Sequence, residues 1–577
     1  MPITYKRWNR LDERNELALS LQNELKIHPI LCQILAQRGI LDFDAAKSFF
    51  RPAITDIHSP WLMKGMEVAV TRILEAIDKK EKILIYGDYD VDGTTAVAIV
   101  FDFVATFFEN ANLEYYIPNR YKEGYGLSKK GVDYAVENGF RLLITLDCGI
   151  KSTELILEAK NRGIDTIVCD HHLPGEELPQ AIAILNAKQN DCGYPYKELC
   201  GCGVGFKLIH AIALKKGFPE NSYLKYLELV ATAIAADIVP ITGENRLLTY
   251  HGLKQVNASP SIGIKALIEL SELKGPVNIS SLGFMIGPRI NAAGRMDDAK
   301  KAVALFIEKD PSKALYIASL LQTDNNHRKE ADKEITKDAI SMIEENQVEL
   351  NKKSTVLYSP EWHKGVIGIV ASRLLERFYK PTIIFTKSGD VVAGSARSIP
   401  GFNIHEGLEQ CRELLIGFGG HYFAAGMTLL PENIEAFKNK FEKIVDDTLE
   451  LHHFIPVIHI DAEVLLSDLT PTFFNIMQQM EPFGPENAKP IFCATKLKNA
   501  GSRIVKENHV RFQVEQNGTM FNGIGFNLAE KYNEIADQSI LDLVFTLEEN
   551  TFNGQTSLQL KVIDVASTEL KRIRSFQ

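Results

Sequence analysis

From about residue 70 to residue 240, short apolar runs alternate with helical patterns, and each run ends in a carboxylate. The runs are 83–86, 142–146 and 166–169, with helical patterns at 96–108 and 153–161. This alternation predicts a parallel sheet built from βαβ units. The run ends read Asp88-Tyr89-Asp90-Val91-Asp92-Gly93, Asp147-Cys148-Gly149 and Asp170-His171-His172. In open α/β sheets, ligands bind beyond the carboxyl ends of the strands. Asp147 and His171 lie 24 positions apart (171 − 147), about one strand-to-strand repeat through a helix, so both segments can face one crevice. A further acid, Asp237, follows the apolar stretch 229–236.

Three carboxylates at alternate positions repel one another in a low-dielectric site unless a cation neutralises them. Oxygen-rich clusters of this kind suit Mg²⁺ or Mn²⁺. The same spacing opens an EF-hand loop, but its twelfth position would be Ile99 instead of a bidentate Glu, and a strand precedes it. A solvated acidic turn is the plain alternative for this motif taken alone.

At 577 residues the chain is too long for one core, and two to four domains are expected. Residues 1–50 read as a small helical preface. Asp310-Pro311 opens an uninterrupted helical pattern to about residue 346, roughly 50 Å as one helix. The bland reading of its charge-dense second half, a solvated connecting helix, is the one adopted. A second α/β unit begins near Ser354 and runs to about 450. Beyond 456 the texture is β-rich, with hairpin signals at Asn517-Gly518 and Asn553-Gly554, and a small barrel is the simplest closure. No apolar h-region follows Met1 and no stretch is long enough to span a bilayer, so a soluble cytoplasmic protein is expected. Eight scattered cysteines suit a reducing compartment. Cys192, Cys200 and Cys202 lack paired zinc spacing and read as packing residues. A net charge of −10 gives no bulk argument for nucleic-acid binding, nor against a local footprint.

Together, the four acidic segments resemble the DHH phosphoesterase superfamily, named for the triplet found here at 170–172. Pro118-Asn119-Arg120, 123–127, 203–207, Asn291-Ala292-Ala293-Gly294-Arg295, Gly394-Ser395-Ala396-Arg397-Ser398 and 419–426 are similar to motifs of its RecJ branch. Glu481-Pro482-Phe483-Gly484-Pro485-Glu486-Asn487 resembles the entry to that branch's OB-type barrel. The resemblance spans about residues 50–567. It implies an α/β fold: a parallel-sheet DHH domain (51–305), a connecting long helix (306–352), a second α/β, DHH-associated domain (353–455) and a C-terminal OB-type β-barrel (456–577).

The resemblance also implies 5′-to-3′ hydrolysis of single-stranded DNA to mononucleotides with two Mn²⁺ or Mg²⁺ ions, in DNA repair and recombination. Carried over by motif, Asp90, Asp92, Asp147, His171 and Asp237 are the expected metal ligands, with Asp147 bridging. Asp88 and Asp170 are expected as ligands or their outer partners, and His172 as a donor to the phosphate. Arg120, Arg295, Ser395 and Arg397 are the candidates for a 5′-phosphate pocket, since Arg suits bidentate phosphate binding. Asn291, in the same motif as Arg295, is expected to bind substrate as well. Arg289 and Arg373 read equally as strand-tracking groups or ion-pair partners. His421, between the small residues of 419–426, is expected near a phosphate, and Tyr121, Phe402 and Tyr422 as stacking candidates, although aromatics are more often core. A single-strand-binding protein and a helicase are partners by resemblance only; a monomer is expected. The rival readings are a DHH-type hydrolase of short substrates such as dinucleotides, and an inactive single-strand-binding scaffold.

Overall fold

Five parallel strands form the sheet that the alternation predicts, in the order Asn112–Tyr116, Lys82–Gly87, Leu142–Leu146, Asp165–Cys169 and Ala183–Leu185. They belong to one of two units into which the chain divides, residues 51–328 with 481–488; the other holds residues up to 50, 329–480 and 489 onward. The computed structural model describes residues 5–552 and 554–567.

In the first unit the helix Val91–Phe107 starts five residues before the expected boundary. The reason is local: Asp90 caps it, its Oδ1 accepting from the Gly93 N–H at 3.1 Å. That helix and Gly201–Lys216 are buried on nearly every side, so neither carries the apolar stripe that marks a surface helix. Helix Thr153–Asn161 has the predicted ends. The strand Asn112–Tyr116 was missed because it is an edge: its residues alternate exposed and half-buried, unlike the continuous apolar run of a central strand.

The long helix is Pro311–Glu344, with the Asp310 carboxylate accepting from the Ser312 and Lys313 N–H groups. No helix among the described residues is long and apolar enough to cross a membrane. In the second unit, five strands run in the order Leu415–Gly420, Ala424–Leu429, Val391–Arg397, Thr382–Ser388, Thr355–Tyr358, and only the last pair is parallel.

The barrel follows. Phe492–Asn499 pairs with both Ile540–Phe552 and His509–Gln516, which closes a seven-stranded sheet through its second and sixth strands. The Asn517-Gly518 hairpin is present, both residues in the left-handed region (φ 52° and 83°) as a type I′ turn requires. Of the second hairpin, Asn553 lies outside the described residues, while Ile540–Phe552 and Gln555–Ser567 pair antiparallel on either side of it.

Two segments depart from expectation. The preface is not purely helical: Arg7–Arg10 forms a strand parallel to Val457–Ile460, and the Trp8 indole donates to Asp564 Oδ2 at 2.7 Å. A four-residue polar run carries no periodic signal, so only its partner reveals it. The segment 481–488, expected at the barrel entrance, packs with the parallel-sheet unit.

Candidate metal centre

At the carboxyl ends of the three central strands the predicted groups come together. Asp147 leaves its strand in a left-handed conformation (φ 60°), unusual for a residue with a side chain, while its N–H donates to Cys169 O at 2.9 Å. His171 Nε2 lies 3.2 Å from Asp147 Oδ1 and 3.7 Å from both Asp92 Oδ2 and Asp237 Oδ2. Three overlapping groups have ligand atoms within 4.8 Å of one another: Asp147 with His171 and His172, Asp92 with His171 and Asp237, and Asp88 with Asp90 and Asp147.

Electrostatics make this arrangement costly for the protein alone. Burial, followed by repulsion from Asp92, Asp90, Asp237 and Asp88, pushes the Asp147 carboxyl well above the usual range. Asp88 and Asp237 are raised strongly as well, first by burial and then by neighbouring carboxylates, and burial also raises Asp92. Burial pulls the His171 imidazole down, toward the neutral form that ligates metals. Asp147 Oδ1, Asp88 Oδ2 and both ring nitrogens of His171 are buried without a hydrogen bond. Buried polar atoms are normally paired. A divalent cation fits this donor set: carboxylate oxygens with an imidazole suit Mn²⁺ or Mg²⁺.

The surrounding groups hold the acids in place. Asp92, 1 % exposed, accepts from the Gly201 and Cys202 N–H groups at 2.6 and 2.7 Å, at the start of helix Gly201–Lys216. Asp170 faces away from the acid cluster. Its Oδ1 accepts from the His171 and His172 N–H groups and contacts His172 Nδ1 at 2.7 Å, and its Oδ2 accepts from Ile150 N–H. Burial works against the Asp170 charge, yet these bonds bring its pKa down to about 2. In turn, burial depresses His172, but the Asp170 carboxylate more than offsets it and the net shift is upward. Asp170 is therefore the orienting partner of His172.

Of the expected substrate contacts, Arg120 sits 5.0 Å over the Tyr89 ring, and its charge acts on Asp88. Tyr121 donates its hydroxyl to the Arg295 carbonyl. The Asn291 Oδ1 accepts from Val91 N–H at 3.1 Å, fixing the first residue of the helix between Asp90 and Asp92. Arg289 is a correction. It is 7 % exposed, and its guanidinium is spent on Gln322 Oε1 and the Met285 and Leu270 carbonyls. Arg373 takes the ion-pair alternative, closed bidentately on Asp332 at 2.8 and 2.7 Å. In the same unit Arg397 reaches Ser372 Oγ at 3.1 Å and Ser395 Oγ at 3.3 Å, beside Gly368. His421 is exposed in the turn between two strands, its N–H donating to Ala424 O at 2.8 Å. Phe402 is core, edge-on to Phe441, whereas Tyr422 is 40 % exposed. The three cysteines of 192–202 are buried free thiols.

Sequence reasoning missed Tyr125, whose hydroxyl lies 3.0 Å from His172 Nε2, and the Gly201–Cys202 amides. The second had a signal, the small residues Gly201-Cys202-Gly203 opening a helix.

A parallel sheet with the Asp170-His171-His172 triplet and a carboxylate cluster at its strand ends fits a DHH-type protein, and the family models agree. The DHH family, N-terminal domain model matches residues 82–234, the DHHA1 domain model 351–447 and the RecJ OB domain model 460–564. The single-stranded-DNA-specific exonuclease RecJ of Escherichia coli is 32% identical over 572 residues, 96% of this chain and 98% of that protein. The Bacillus subtilis RecJ is 36% identical over 568 residues, 98% of this chain and 71% of that protein. Among solved structures, Thermus thermophilus RecJ in complex with Mn²⁺ superposes with a TM-score of 0.84 at 26% identity, covering 97% of this chain and 79% of that one. Its Mg²⁺ complex gives 0.79 at 25% identity, covering 97% and 78%. The chain belongs to the RecJ family.

Proposed function

We propose that this chain is a single-strand-DNA-specific exonuclease that hydrolyses phosphodiester bonds from the 5′ end with two Mn²⁺ or Mg²⁺ ions. The observation that carries the reading is the set of buried, unbonded ligand atoms of Asp88, Asp147 and His171, facing one another at the strand ends. In this reading Asp90, Asp92, Asp147, His171 and Asp237 hold the metals, which supply an activated water and a counter-charge for the leaving oxygen. Asp88 completes the carboxylate wall. His172, oriented by Asp170 and shifted by it toward the charged form, presents a proton to a phosphate oxygen. Arg120, Arg295, Ser395, Arg397 and His421 bind phosphate groups of the strand. The Gly201 and Cys202 amides fix Asp92, and Asn291 fixes the helix start before it, so the acids do not reorganise during turnover. Residues 51–305 then carry the chemistry and 353–455 and 456–577 the strand, with 306–352 joining them. The reading entails a cytoplasmic monomer acting in repair and recombination beside a single-strand-binding protein and a helicase.

The test uses an oligonucleotide labelled at its 3′ end and phosphorylated at its 5′ end, with the matching blunt duplex, under Mn²⁺, Mg²⁺ or EDTA. A ladder shortening from the 5′ end on the single strand alone, absent in EDTA, is expected. An untouched strand with rapid cleavage of dinucleotides transfers the reading to the short-substrate hydrolases, and binding in EDTA without nucleotide release transfers it to the scaffold.

A further inference from the structure

Asp237, half-buried, is the last residue of its helix, Leu227–Asp237, and the chain turns sharply after it. Ile238 adopts the left-handed conformation (φ 61°), unfavourable for a β-branched residue, with its side chain 66 % exposed. A turn of this kind persists only where the surroundings hold it. Four residues on, Ile241 is 1 % exposed, and its N–H donates to the Pro485 carbonyl at 2.8 Å. Gly484 packs so closely on Ile241 that an added Cβ would lie 2.4 Å from Ile241 Cγ1. Arg246, 4 % exposed, donates to the Glu481 and Pro482 carbonyls at 2.8 and 3.3 Å. The segment is braced internally, with Asn487 Nδ2 donating to Pro482 O at 2.8 Å and Gly484 and Asn487 exchanging backbone bonds.

We propose that residues 481–488 form a strap that positions Asp237 for metal binding, with Gly484 and Arg246 as its positioning residues. The inference rests on Asp237 being a metal ligand. A packed glycine against Ile241 and a two-carbonyl clamp from Arg246 fix the far end of the turn, and the turn fixes the carboxylate. Groups bonded to a ligand set its orientation, and their loss costs roughly 10–100-fold in metal affinity; the strap acts on Asp237 one step further out, through the backbone of 238–241, so the low end of that range, about tenfold, is the expected loss.

The experiment uses the full chain carrying Gly484→Ala, Arg246→Lys, Asp237→Asn, or Gly484→Ala with Asp237→Asn. Two quantities are measured: the Mn²⁺-induced rise in melting temperature, and the Mn²⁺ concentration giving half-maximal nuclease rate. The strap variants are expected to need at least about tenfold more Mn²⁺ than the parent, on top of whatever the tight contact at Gly484 or the lost Arg246 bonds take from the metal-free melting temperature. In the Asp237→Asn background, Gly484→Ala is expected to add no further loss, since both act on one ligand. An unchanged Mn²⁺ requirement in both strap variants, or losses that add in full, overturns the strap alone. A lowered metal-free melting temperature with an unchanged Mn²⁺ requirement makes the segment purely structural and overturns it too. A parent-like Mn²⁺ response of Asp237→Asn instead removes Asp237 from the metal site.

Discussion

Gly201→Ala isolates the geometry of the acid cluster without touching an acid. A Cβ at Gly201 would lie 2.6 Å from Asp147 Cβ and Oδ1 and 2.8 Å from Cγ. Carbon atoms settle at about 3.5–4.0 Å, so Asp147 or the start of the helix must shift by roughly 1 Å. A displacement of that size at reacting groups costs about 10²-fold in rate, or ~2.7 kcal/mol of barrier. The fold should survive, because overpacking costs about 1–3 kcal/mol and alanine returns up to ~1 kcal/mol of helix propensity. Gly203→Ala, one half-turn on, is the control: its nearest neighbours are Leu199 carbons at 3.5 Å and Cys200 Sγ at 3.6 Å, ordinary contacts. The assay is single-turnover release from a 3′-labelled strand at saturating Mn²⁺, with thermal melts of each variant. Retention of more than half the parent rate by Gly201→Ala, or an equal loss in Gly203→Ala, would refute the reasoning.

Asp147→Ala should reduce hydrolysis beyond the ~100-fold typical of outer partners, while the metal-free melting temperature holds or rises as repulsion is relieved; parallel rate and melting measurements decide, and near-parent hydrolysis sinks the assignment. Arg397→Ala should weaken binding to a 5′-phosphorylated end about 10–100-fold, the worth of a charge-assisted bond, and a 5′-hydroxyl end much less; anisotropy titrations in EDTA compare the two, and equal losses remove Arg397 from the end site. His210, buried and stacked 4.4 Å from Tyr223, has its pKa pulled down to about 3, first by burial and then by Lys207. The unfolded chain binds that proton more tightly, so stability is full above pH ~6.5 and falls as pH drops toward 3, by a few kcal/mol in all. Urea midpoints across that window should fall less steeply in His210→Phe; identical slopes contradict the reading.

What the sequence made legible was the chemistry that sits next to its own strand. Asp147 and the Asp170-His171-His172 triplet each end an apolar run, so strand and acid are read in one window, and the parallel sheet places them together. Contacts set by distant partners could not be read this way. Arg289 and Arg373 look like available cations until Gln322 and Asp332 are seen beside them, 33 and 41 positions away. Asn291 resembled a substrate contact, yet its partner is Val91, 200 positions earlier. Phe402 sits in a motif, but its neighbour Phe441 makes it core. The edge strand Asn112–Tyr116 escaped because half-exposed strands lack a continuous apolar run.

The pairing of Arg7–Arg10 with Val457–Ile460 has a consequence for the order of events during synthesis. Residue 10 leaves the ribosome some 450 residues before its partner at 460, about 20–90 s at 5–20 residues per second. Throughout that interval the strand's edge and Trp8 have no native cover, the condition under which nascent chains pair wrongly or recruit chaperones. Residues 7–10 are thus among the last to find their place, and a chain released before residue 460 lacks the partner strand that would cover them.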